Sequence, residues 1–118
     1  MTRSGKALCA LYATIAVVAL FATWTNNLDF FRQADNGGLV GFLRGGYANP
    51  AAASLSNDLF MLGAAASVLM FVEAKRLGIR FVWVYFVLSF VIAVSVMFPL
   101  FLLARQIKLE AMQGQAEN

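Results

Sequence analysis

The chain has 118 residues, of which 61% are hydrophobic and only 13% charged. A soluble domain carries roughly 25% charged residues, so the composition points to a surface solvated largely by lipid. The net charge of +3 comes from basic residues at the ends of apolar runs, a pattern that suits anionic headgroups and offers no basic stripe for nucleic acid. Histidine is absent and Cys9 is the single cysteine. The commonest metal ligand and general base are thus missing, and an intramolecular disulfide is impossible.

The first apolar run, Ala7 to Leu28, lies between Lys6 and Asp29. A helix that crosses a bilayer needs about 20 apolar residues, and this run predicts a first span over about 7–27. Arg3 and Lys6 resemble the basic start of a signal peptide. The run is long for one, however, and Trp24, Asn26 and Asn27 fill the zone where a small-x-small cleavage site belongs. A retained helix is expected. Ala13 and Ala16 recur at a spacing that lets a neighbouring helix approach closely.

The connection over about 28–49 holds Phe30, Phe31, Leu39, Val40, Phe42, Leu43 and Tyr47 among five glycines. It is too apolar for a free loop. One or two short amphipathic helices are predicted, lying in the membrane interface or capping the bundle.

The second span is expected over about 50–76. Asn49 is a good N-cap, and proline suits the first helical position that Pro50 occupies. At the far end Lys75 and Arg76 complement the helix C-terminus, and Gly78 suits the position just beyond it. Asp58 stands about two turns in. A carboxylate at the centre of a membrane helix costs about 2.5–3.5 kcal/mol. Asp58 shares a helix face with Ser54, and Arg32 and Arg44 in the connection are candidate partners. A tether that pins the connection to the bundle is favoured over a proton, cation or headgroup site. Gly63 and Ser67 form a small-x-x-x-small pair for packing.

The third run, Phe81 to Ala104, predicts a third span over about 80–106, antiparallel to the second across a tight turn. Ser89 and Ala93 repeat the small-residue spacing, and Pro99 predicts a kink by removing the hydrogen bond to the carbonyl of Ser95. The tail over 110–118 loses its apolar content and is expected to fray. Counting basic residues gives five on the N-terminal side and four opposite, which leans towards a cytoplasmic N-terminus and an external C-terminus.

The expected fold is therefore all-α and integral to the membrane: a single domain of three transmembrane helices in a small bundle. No phosphate-binding loop, cysteine pair or nucleophile elbow is present, and the six carboxylates are scattered. A non-catalytic protein with no obligatory cofactor follows, an accessory or structural subunit of a larger membrane complex or a homo-oligomer. The alternatives are a binding protein for a quinone, a carotenoid or a lipid, and an oligomeric proton-coupled transporter using Asp58.

The segments "ANP" before a span with an early Asp, "VEAKRLGIRFVWVY", and "PLFLLARQ" at the close of the third run occur in that order. With them the chain resembles a family of small bacterial inner-membrane proteins known as domain of unknown function 2834. The resemblance covers roughly Ala7 to Arg105. The matching positions are Asn49, Pro50, Asp58, Glu73, Arg76, Gly78, Trp83, Pro99 and Arg105. It implies three spans and a membrane location, and no reaction.

Overall fold

The computed structural model describes residues 2–33 and 35–117, with side chains to residue 114. Five helices follow in order: α1 (Arg3–Arg32), α2 (Gly38–Gly45), α3 (Pro50–Leu77), α4 (Val82–Val91) and α5 (Val94–Glu117). The molecule is a rod of 60 × 24 × 23 Å, with its two longest helices, α1 and α3, packed on either side of α5.

Local chemistry sets most of the helix ends. The Thr2 side chain caps α1 by accepting the Gly5 N–H at 2.9 Å. Asn49 accepts the Ala52 N–H at 2.8 Å ahead of Pro50, as its place before the proline predicts. Gly78 closes α3 in the left-handed conformation, φ 70°, which glycine adopts without a Cβ penalty. Phe81 also takes φ 63° before α4, a conformation that strains a bulky residue. Between α1 and α3, α2 docks through one ring. Phe42 stacks on Phe31 and meets the edge of Phe30, with centroids 5.6 and 5.4 Å away, while Leu39 and Val40 point outward.

Two helices, α1 and α3, are long and apolar enough to cross a membrane. The third run is different. It is not one helix over 80–106: it breaks at Ile92 and Ala93 into α4 and α5. The Tyr85 and Phe101 rings lie 5.6 Å apart, although 16 residues of straight helix would separate them by about 24 Å. α4 therefore folds back along α5 as a helical hairpin. The break falls in Val91-Ile92-Ala93-Val94, rich in β-branched residues of lower helix propensity, and Pro99 withholds a backbone donor from the turn that follows. The freed carbonyl of Ile92 is taken up by the Trp24 indole, whose Nε1–H donates to it at 2.8 Å.

The hairpin fills the space between the long helices. Ala16 of α1 packs on Val96 and Met97 of α5, with Tyr85, Leu88 and Ala93 around them. Met70 and Ala74 of α3 pack on Phe101, with Val82 and Tyr85 alongside. Phe71 of α3 meets Phe86 of α4 edge-on at 5.2 Å. These pairings make α1 antiparallel to α5 and α3 parallel to it. The last helix also runs on to Glu117, where fraying from 110 is expected from composition. Gln106 bonds Glu110 one turn on at 3.3 Å, and Thr2 holds Glu110 from α1. The last residue of that expected tail, Asn118, lies outside the described residues.

Candidate functional site

Among the described residues the buried charge is Glu73, on the last turns of α3 and 4% exposed. Its Oε2 accepts Arg105 Nε from α5 at 2.6 Å, and its Oε1 accepts Arg76 Nη1, three residues on, at 2.9 Å. Among the described residues these are the two ion pairs. Arg76 is largely in the open and Arg105 is mostly covered, so the α3–α5 pair has the drier setting. One carboxylate facing two guanidiniums leaves a net positive charge. Chemically the cluster can lock α3 to α5 and hold an anion at its rim. It has no nucleophile and no second carboxylate for acid–base work.

Beside this cluster the turn after α3 and the side of α5 enclose an open groove of about 290 Å³, walled by Ile79 and Arg80 on one side and Ala104, Ile107 and Lys108 on the other. A second shallow hollow lies along α1 at Ala13, Thr14, Val17 and Val18. Among the described residues no group of three carboxylates or cysteines converges as a metal site would require.

The residues singled out from the spacing of α3 lie at the other end of the rod. Asp58, Ser54, Arg32 and Arg44 are all exposed. No hydrogen bond or ion pair joins them among the described residues. The connection is pinned to α3 by the neutral neighbours of Asp58: Ser56 Oγ donates to the Gly46 carbonyl at 2.7 Å, and Tyr47 Oη donates to Asn57 Oδ1 at 3.0 Å. The packing residues divide. Ala16 is buried and Ala93 packs against it. Gly63 faces open space, and Ser67 and Ser89 turn their hydroxyls back to Gly63 and Tyr85 carbonyls at 2.8 and 2.7 Å. Ala13 is half-buried, and Pro99 is buried inside α5.

From the sequence Arg76 is expected only to complement the C-terminus of α3, and Glu73 and Arg105 stand only among the positions shared with the resembled family. The i,i+3 spacing of Glu73 and Arg76 is a visible signal. Arg105 is 32 residues further on, and its arrival depends on the hairpin.

The family assignment rests on the length matched. A family model described as Protein of unknown function DUF2834 matches residues 11–107, which takes in α2, α3 and α4 whole and most of α1. The chain belongs to that family. Glu73, Arg76, Arg105, Trp24, α4 and α5 as far as residue 107 fall inside the DUF2834 match; Thr2, Lys108 and Glu110 fall outside it. No curated protein and no solved structure matches the chain.

Proposed function

We propose that the protein is a non-catalytic accessory subunit of a larger assembly in the bacterial inner membrane, crossing the bilayer with α1 and α3 and dipping α4 and α5 into it as a re-entrant hairpin. The observation that carries this reading is Asp58. It stands exposed on α3 among Leu55, Leu59, Phe60, Met61 and Leu62, all of them exposed as well. A carboxylate bare to hydrocarbon costs about 2.5–3.5 kcal/mol, and a donor from a neighbouring subunit offsets that cost. The open flank of Gly63, one turn further along, admits a helix at close range.

A re-entrant segment is tolerated at membrane depth only where protein covers its backbone. The bond from Trp24 to Ile92 meets that condition at the hairpin's apex. A helix of 10 residues such as α4 is about 15 Å long, half of what a crossing needs. The orientation gains support from charge. With both ends of the chain on one side, seven of the nine Lys and Arg gather there, and only Arg32 and Arg44 are opposite. The positive-inside tendency makes the side with the termini cytoplasmic. A third crossing by α4 and α5 would instead part the termini and reduce the bias to five against four.

The reading of a quinone, carotenoid or lipid held in a deep site has less behind it, because the hollows are shallow. The transporter reading requires a path that two long helices and a half-depth hairpin do not enclose alone.

The test is purification of the full chain from native membranes in mild detergent, with crosslinking. Larger subunits should accompany it. Asp58→Leu should weaken that association, and Asp58→Asn, which keeps hydrogen bonding, should weaken it less. A single species of monomer mass, free of crosslinked partners and unchanged by Asp58→Leu, refutes the proposal.

A further inference from the structure

We propose that the groove between the α3–α4 turn and α5 binds an anionic phospholipid of the cytoplasmic leaflet, its phosphate held between Arg80 and Lys108 and the start of an acyl chain laid on Ile79, Ala104 and Ile107. This inference rests on the reading of that end of the rod as the cytoplasmic membrane surface. Three features carry it. The groove pairs two cations with an apolar floor, the two halves of an amphiphile's chemistry. Its cations are uncommitted: Arg76 and Arg105 close by are spent on Glu73, while Arg80 and Lys108 make no ion pair among the described residues and are exposed. Its size, about 290 Å³, is at the lower limit for a ligand site of roughly 300 Å³. It takes a headgroup and the first methylenes and leaves the rest of the chain to the bilayer.

Trp83, three residues after Arg80 and more than half exposed, sets its depth, because an exposed indole prefers the headgroup layer. The negative surface of the cytoplasmic leaflet supplies the matching charge. Glu110, the nearest acid along α5, is occupied by Thr2 and Gln106.

The experiment reconstitutes the full chain in nanodiscs of equal phosphatidylglycerol and phosphatidylcholine and counts retained lipids by native mass spectrometry. The wild type should retain phosphatidylglycerol selectively. The double variant Arg80→Gln/Lys108→Gln should lose that selectivity by on the order of tenfold. Arg3→Gln/Lys6→Gln removes the same charge from the same end outside the groove and should keep it. Circular dichroism checks the fold of each. Should the double variant misfold, the single variants Arg80→Gln and Lys108→Gln each carry the same expectation at smaller size. Glycerol phosphate in millimolar excess should not displace the lipid; displacement would make the site one for a free phosphate and overturn the proposal. Equal retention of the two lipids, or equal losses in the groove and control variants, overturns the groove while leaving the membrane reading intact. Failure of the wild type to enter the bilayer overturns both.

Discussion

Glu73 shows how one carboxylate can be asked to hold two helices. Its oxygens are divided between a guanidinium on its own helix and one from α5, and the three side chains differ widely in exposure. An exposed ion pair contributes little, whereas a covered charge left alone is costly. Glu73→Ala should therefore lower the thermal midpoint in detergent most, Arg105→Ala next, and Arg76→Ala by no more than about 2 °C. Melting curves in one detergent at neutral pH give the order; equal effects for Arg76 and Arg105 would contradict it. A second carboxylate, Glu110, lies outside the two long apolar helices. The Thr2 hydroxyl and N–H beside it, with Gln106, hold its carboxyl below the ordinary value of 4.5 against the opposing pull of burial. A depressed folded value means that the tie stabilises above the unfolded pKa and is lost as pH falls through the folded one. Hydrogen-exchange protection in the first turn of α1, measured against the intrinsic rate at each pH, should fall as pH drops below about 4.5, and in Glu110→Gln it should be low already at pH 7.

At the scale of elements the hairpin is the feature that sequence pattern does not disclose. The run from Phe81 to Ala104 is apolar on every side and long enough to cross a bilayer, and hydropathy reads its length without its direction. The fold-back is decided by partners far along the chain: Trp24 for the carbonyl at the apex, Ala16 for Val96 and Met97, Met70 and Ala74 for Phe101. The ends of α3 were legible because their signals are local, Asn49-Pro50 at one and Gly78 at the other. The same division explains the site. Asp58 drew attention as a charge in an apolar run, but Ser56 and Asn57 hold the connection, and only the course of the loop through Gly46 and Tyr47 selects them. Trp24→Phe keeps an aromatic, though smaller, ring and removes the donor. It should cost about 1–3 kcal/mol, read as unfolding in denaturant, and should speed amide exchange around Ala93. An unchanged midpoint and unchanged exchange would remove the indole's part in the turn.

For the whole molecule the telling arrangement is that Thr2 and Glu110 are hydrogen-bonded, 2.9 Å apart at the side chains. The proposed two crossings and half-depth hairpin put both termini on the cytoplasmic side, so reporter fusions at residue 1 and after residue 118 should give the same signal, and a fusion at the α2 segment the opposite one. Opposite signals from the two termini would restore a third crossing. The exposed apolar side chains along α1 and α3, Val18, Phe21, Leu55 and Met61 among them, suit lipid or a neighbouring subunit on most of the circumference.

The bond between Trp24 and Ile92 has a bearing on biogenesis. Its two residues are 68 apart, and the clasp of Thr2 on Glu110 spans 108. On the proposed reading the long helices enter the membrane one after the other as they emerge, yet the wedge that keeps them apart is synthesised after both. Until α5 emerges α1 and α3 must wait without it, and a message truncated after Leu77 would yield a pair of helices with nothing to separate them, a natural substrate for membrane proteases.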